Sequence, residues 1–215
     1  RSMRAWSSEV WTASLRPRLR KRTSCVPLIP LRAAASGTST DFQAASFLSQ
    51  FADAKLLAQI MSQSHTKQVM ETIHKALGNR MLVESYSIAG VGYLRAEDRD
   101  AIPQAADFLL TEENVHTAIV YGIVAESDQV EKLVGSMRTS RITINPDEFI
   151  KEAFGKDPAG NYYGGGKVSA GGFEIPVGFL SGTHADGYRE TKWQVYDNQV
   201  KHKILTKIGV EPELE

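Results

Sequence analysis

Between residues 38 and 60, TSTDFQAASFLSQFADAKLLAQI sets Phe42, Ala45, Phe47, Leu48, Phe51, Leu56, Leu57 and Ile60 at helical spacings. Thr38, Ser39 and Thr40 precede them as N-cap candidates, and Ala52-Asp53 is a plausible break, so one or two helices are expected. A further helix is expected from His65 to Leu77, stopped by the C-cap pair Gly78-Asn79. From Met81 to Leu94 the pattern changes to a period of two, predicting a strand that turns or bulges near Gly90 and Gly92. Helical spacing returns with Ile102, Ala105, Ala106, Leu109 and Leu110, where Pro103 falls in the first turn and its missing N–H is tolerated.

His116 to Val124 is a short apolar run, the pattern of a strand buried on both faces, and QVEKLVGSMRTSRITIN supplies a second strand. In NPDEFIKEAFG, Asn145 is an N-cap, Pro146 the first helical position, Phe149, Ile150 and Phe154 the apolar anchors and Gly155 the terminator. GGFEIPVGF predicts one more strand, and Trp193, Tyr196, Val200 and Ile204 are spaced for a closing amphipathic helix. Strands and helices around one core make an α/β, or mixed α+β, domain with a mixed sheet flanked by helices.

Composition removes several functions. The chain has 215 residues, 42% of them hydrophobic and 23% charged, and no apolar run is long enough for a membrane span. Cys25 is the only cysteine, which excludes an internal disulfide and a cysteine-rich zinc site. His65 and His74 fall on opposite faces of their helix and cannot share a metal there. Asp98 and Asp100 could hold Mg²⁺ or Mn²⁺, but with no third acid or histidine clustered beside them, complementing the helix dipole is the better account.

The formal charge of zero hides a division. Residues 1–32 carry eight basic side chains and one acid, a balance of +7, so the remainder is −7. Segment 1–36 lacks either periodicity and reads as disordered or aberrant, with a mitochondrial transit peptide or a basic nucleic-acid arm as alternatives. A cytoplasmic location is expected, or an organellar one if that segment is a transit peptide.

Six of the seventeen glycines fall between Gly160 and Gly172, three of them consecutive. Such a run marks a tight turn or close backbone approach. Arg138 and the Gly164-Gly165-Gly166 loop could converge on one anion, with a guanidinium fork on one side and backbone N–H donors on the other. A P-loop is ruled out, because Asn161 stands where it needs glycine and Val168 where it needs Ser or Thr. A hairpin-like turn beside a surface arginine explains the same residues without a ligand.

GIV, GSMRTS, NPDEFIKEAFG, YYGGG and AGGF together resemble the C-terminal, DHH-associated domain of the DHH phosphoesterases. That group includes RecJ-type exonucleases, oligoribonucleases that also act as phosphatases on 3′-phosphoadenosine 5′-phosphate, and exopolyphosphatase-like proteins. VGYLRAEDRDAIPQAADFLL resembles the segment leading into that domain, and the resemblance runs from about Gly37 to Leu205.

The resemblance implies three regions: 1–36 as described, 37–78 as a helical remnant of the DHH domain, and 79–215 as the substrate-binding domain. It implies that Ser136, Arg138, Thr139, Gly164, Gly165, Gly166 and Lys167 hold the phosphate of a short oligonucleotide or a phosphorylated nucleotide, with no membrane partner and a homodimer compatible. Lys167 stands where the family commonly has histidine, and could meet a phosphate only as a point charge. The complete family member hydrolyses phosphoesters with two Mn²⁺ or Mg²⁺ ions held by aspartates and histidines, including an Asp-His-His triplet that this chain lacks. The chain as written is therefore expected to bind without catalysing and to hold no metal by itself; the alternative is a nucleotide- or nucleic-acid-binding module that never had a catalytic role.

Overall fold

The computed structural model describes residues 38–61, 65–127, 130–182 and 186–211. The basic segment 1–36 lies outside them. The chain divides into two compact units, Arg1–Ser64 and His65–Glu215.

In the first unit, α1 (Ser39–Ser49) begins at Thr38 and α2 (Ala54–Met61) follows a break at 50–53. Thr38 and Asp41 form a capping box: the Thr38 N–H donates to the Asp41 carboxylate at 2.8 Å, and the Thr38 hydroxyl accepts from the Asp41 N–H. The Thr38 N–H, and then the Thr38 hydroxyl, which also donates to this carboxylate at 2.7 Å, hold the Asp41 carboxyl below its ordinary value. The apolar spacing that predicts α1 is present, yet none of its residues is buried, and Phe42, Phe47, Phe51 and Leu56 are exposed.

The second unit is a six-stranded mixed sheet in the order β1-β2-β3-β4-β6-β5. Its elements are α3 (Lys67–Asn79), β1 (Met81–Val83), β2 (Tyr86–Arg95), a 3-10 turn (Ala96–Asp98), α4 (Ala101–Leu109), β3 (Thr117–Ser127), β4 (Val130–Thr139), α5 (Pro146–Phe154), β5 (Gly164–Gly166), β6 (Ala170–Pro176), a second 3-10 turn (Gly178–Leu180) and α6 (Asp186–Ile208). The unit thus begins at His65 and takes in α3, which packs on α4 and β2. Only β2 and β3 run parallel, joined through α4; the other pairs are antiparallel.

Alternation along β3 explains the three layers. Ile119, Tyr121 and Ile123 face α5 and α6 together with Ile88, Leu133, Met137 and Phe173. Ala118, Val120 and Val124 face α3 and α4 with Val91 and Val134. A strand covered on both faces needs apolar residues at every position, which is why its sequence reads as a continuous run. On α4 the stripe Ala101, Ile102, Ala105, Ala106 and Leu109 is buried, its small residues letting the helix lie close to the sheet. On α5, Phe149, Ile150 and Phe154 are buried, each contributing roughly 1.5–3 kcal/mol.

Several boundaries differ from expectation for local reasons. Met81 to Leu94 is a hairpin, with Glu84 at φ 52 in the turn, followed by the expected bulge between Gly90 and Tyr93. Gly78 lies inside α3; the Arg80 guanidinium donates to the Leu77 carbonyl and does the work of a glycine cap. The triple glycine is a strand, the last of the sheet, and not a loop.

Candidate phosphate site

Ser136 and Arg138 sit two residues apart on β4 and share a face of the sheet, the one that α3 and α4 cover farther along. Pairing extends this face onto β6, and β5 follows it in register. Ser136 is opposite Gly172, which is opposite Gly165; Arg138 is opposite Ala170, and Lys167 donates its N–H to the Ala170 carbonyl at 2.7 Å. With strands about 4.8 Å apart, the Arg138 and Lys167 backbones are roughly 10 Å apart across the row. The turn carrying Lys167 is held to the end of β4 by the Thr139 N–H, which donates to the Ser169 carbonyl at 3.0 Å.

Ala170, Gly172 and Glu174 along β6 are half-exposed, and a Cβ added at Gly172 would meet only the Gly135 carbonyl, at 3.3 Å. The result is an open strip of backbone bounded by Ser136 and Arg138 on one side and Lys167 on the other.

Arg138 is anchored on three sides. Its Nε donates to Asp107 Oδ1 at 2.7 Å, and its Nη1 to Ser136 Oγ at 2.8 Å and to the Met137 carbonyl at 3.2 Å. Its Nη2 has no partner among the described residues, and neither does the exposed Lys167 ammonium. Farther along the strip, Glu174 pairs with Lys132 at 2.7 Å and Arg99 at 2.6 Å, and Lys132 also pairs with Glu126 at 2.8 Å. Lys132, then Arg99, holds the Glu174 carboxyl below its ordinary value, and those cations are neutralised within the protein.

The remaining predicted residues have structural duties in this arrangement. Thr139 is buried, its hydroxyl sharing a hydrogen bond with Thr117 at 2.9 Å and accepting from the Arg141 N–H at 3.1 Å. The Gly166 N–H donates to Asp147 Oδ1 at 3.0 Å, and Lys151 pairs with the same carboxylate at 2.6 Å, holding the Asp147 carboxyl below its ordinary value. A Cβ at Gly166 would come within 2.9 Å of Pro146 and of the Asp147 backbone, and one at Gly164 would run into the Gly172 carbonyl and come within 2.8 Å of Ile150. A Cβ at Gly165 would meet Asp147 Oδ1 at 2.7 Å, so Gly164, Gly165 and Gly166 are all bare towards α5, and it is Gly172, on the neighbouring strand, that leaves the strip open.

Sequence reasoning missed Asp107, Asp147 and Glu174. Asp147 had a legible signal, an acid in the first turn of a helix with Lys151 four residues on. Asp107 had none, since its partner is 31 residues away on another element. A separate cleft of about 250 Å³ between α3 and the end of β2, lined by Lys67, Lys75, Tyr93, Arg95 and Asp98 among others, contains none of the predicted residues.

No family model matches the chain. An uncharacterized protein of Methanocaldococcus jannaschii is 34% identical over 174 residues, 80% of this chain and 33% of its own length. The chain thus spans about a third of the length of the curated relative it matches.

Among solved structures, an exopolyphosphatase-related protein from Bacteroides fragilis aligns with a TM-score of 0.46 at 17% identity, over 77% of this chain and 46% of that one. A pGpG-specific phosphodiesterase from Vibrio cholerae aligns at 0.31 and 11% identity, over 64% and 40%. The C-Ala domain of Aquifex aeolicus alanyl-tRNA synthetase aligns at 0.32 and 18%, over 57% and 97%. None of the three is near enough to bear on function. Among the described residues, no helix is long and apolar enough to cross a membrane.

Proposed function

We propose that this chain is the substrate-holding half of a DHH-type phosphoesterase, and that Ser136, Arg138 and Lys167 hold the phosphate of a short oligonucleotide or phosphorylated nucleotide over the glycine strip. The observation that carries this reading is the guanidinium of Arg138, fixed by its own strand through Ser136 and Met137, with Nη2 unpartnered among the described residues, on a strand paired with the half-exposed Ala170 and Gly172. A terminal phosphate carries close to two negative charges and three acceptor oxygens. Arg138 suits it as a planar fork, and Lys167 adds a point charge from the far side of the strip. Because Gly166 gives its N–H to Asp147, the glycines serve chiefly as a floor and only secondarily as donors.

The family's hydrolysis uses two Mn²⁺ or Mg²⁺ ions, and the residues described here do not fit them: among these, no three of His, Cys, Asp or Glu gather as a metal site. Catalysis is accordingly assigned to other parts of the whole protein, and this chain alone is expected to bind without turnover. The same observation favours a second reading, a nucleotide-binding module with no catalytic role. Supplying Mn²⁺ and a short RNA to a longer form of the protein separates the two, since only the first predicts cleavage.

Calorimetric titration with adenosine 3′,5′-bisphosphate tests the site. Arg138→Ala should weaken binding by about 1.5–3 kcal/mol, the range for a hydrogen bond to a charged group, with only a small fall in melting point from the lost Ser136 bond. Equal affinity in the two proteins would leave the strip without a ligand.

A further inference from the structure

We propose that Asp107 is the site's internal counter-ion, occupying the edge of Arg138 that an incoming phosphate must take, so that ligand binding is an exchange of one anion for another. This rests on the reading of Arg138 as a phosphate ligand.

A guanidinium has five N–H groups: in Arg138 the Nε–H is engaged by Asp107, and Nη1 donates to both Ser136 Oγ and the Met137 carbonyl. The two on Nη2 remain, but they point toward opposite edges of the plane. A two-pronged grip on a phosphate therefore needs one Nη2 hydrogen with either Nη1–H or Nε–H.

The two edges are not equally open. The Nη1 edge faces the arginine's own strand, where Ser136 is 6% exposed and the Met137 carbonyl is fixed backbone. The Nε edge faces the Asp107 side chain, which is 60% exposed and attached to α4 by its own rotatable bonds. A ligand takes the Nε edge, and Asp107 swings into solvent.

Exchange has a consequence for selectivity. A singly charged phosphodiester replaces one negative charge with another and gains little at this edge. A terminal phosphate, with nearly two charges, gains from the exchange. Asp107 would thus raise the threshold against internal diesters and against incidental monovalent anions.

The test is titration of adenosine 3′,5′-bisphosphate into the wild type, Asp107→Asn, Asp107→Ala and Arg138→Ala, with the Arg138 side-chain Nε–H followed by NMR in the free proteins. An exposed ion pair is worth little, so Asp107→Asn and Asp107→Ala should each tighten binding by roughly two- to fivefold. The Nε–H resonance should move upfield and exchange faster in Asp107→Ala before any ligand is added. Weaker or unchanged binding in both Asp107 variants, with Arg138→Ala still impaired, would overturn the exchange and make Asp107 a positioning residue while leaving the phosphate site intact. If wild type and Asp107→Asn both fail to bind, the phosphate reading falls and the counter-ion role falls with it.

Discussion

Lys192 on α6 reaches Glu131 near the start of β4, Nζ to Oε2 2.5 Å, with side chains only 2% and 5% exposed, and also donates to the Leu180 carbonyl at 3.0 Å. Burying two charges is expensive, and the pair holds because each neutralises the other. Lys192→Met leaves a carboxylate buried without its cation, which should cost about 3–5 kcal/mol. In a unit of this size each kcal/mol moves the melting point by about 2–4 °C, so a fall of roughly 6–20 °C is expected. Glu131→Leu strands the ammonium and should cost a similar amount. The double variant removes both charges while roughly keeping volume, and should return to within about 1 kcal/mol of wild type or exceed it. Urea unfolding of the four proteins, followed by circular dichroism, gives the cycle. Single variants within about 1 kcal/mol of wild type, or a double variant as unstable as the two losses added together, would refute the account of a desolvated pair joining α6 to the sheet.

Two glycines separate packing from ligand access: Gly164→Ala drives a methyl group into the Gly172 carbonyl and should destabilise by about 1–3 kcal/mol, whereas Gly172→Ala should melt closer to wild type yet bind adenosine 3′,5′-bisphosphate more weakly. The reverse order in melting would contradict the assignment of the two rows. Tyr121, fully buried with its hydroxyl donating to Asp197 at 2.7 Å, should lose about 1.5–3 kcal/mol as Tyr121→Phe in chemical unfolding. Burial first, then Asp197, raises the Tyr121 hydroxyl well above its ordinary value, so absorbance titration should show no ionisation of this ring before the fold opens. Glu174 has its carboxyl lowered from 4.5 by Lys132 and Arg99, so its stabilisation is complete above about pH 4.5 and is lost as pH falls through the lower folded value. The stability gap between wild type and Glu174→Gln should therefore close in acid; a gap constant from pH 6 to pH 3 would argue against the pairing.

The elements legible in the sequence are those whose local chemistry and tertiary surroundings agree. Asn145-Pro146 and Gly155 bracket α5 because cap, first-turn proline and a terminator at φ +74 all act within a few residues. The β3 run is legible because both its faces are covered. Gly164–Gly166 was not readable as a strand, since glycine has no side chain to favour extended backbone and its pairing with β6 comes from the neighbours. For the site, the motif residues Ser136 and Arg138 stand out as strand residues with chemistry. The partition of the glycines between a helix-facing row and an open row, and the Asp107 partner, depend on register and on how α4 lies over β4.

The glycine strand also ends the sheet, and an edge without side chains is an invitation to a second copy, because unpaired N–H and C=O groups there can template another strand. Asp147 occupies the Gly166 N–H, Lys151 pairs with Asp147, and the Lys151 and Lys156 ammonium groups stand 5.1 and 4.5 Å from the Tyr162 ring beside it. These charges make the edge costly to approach with another polypeptide. The openness that would suit a nucleotide is thereby kept from becoming a seed for assembly, and neutralising Asp147 and Lys151 together would put the solubility of the protein at stake before its fold.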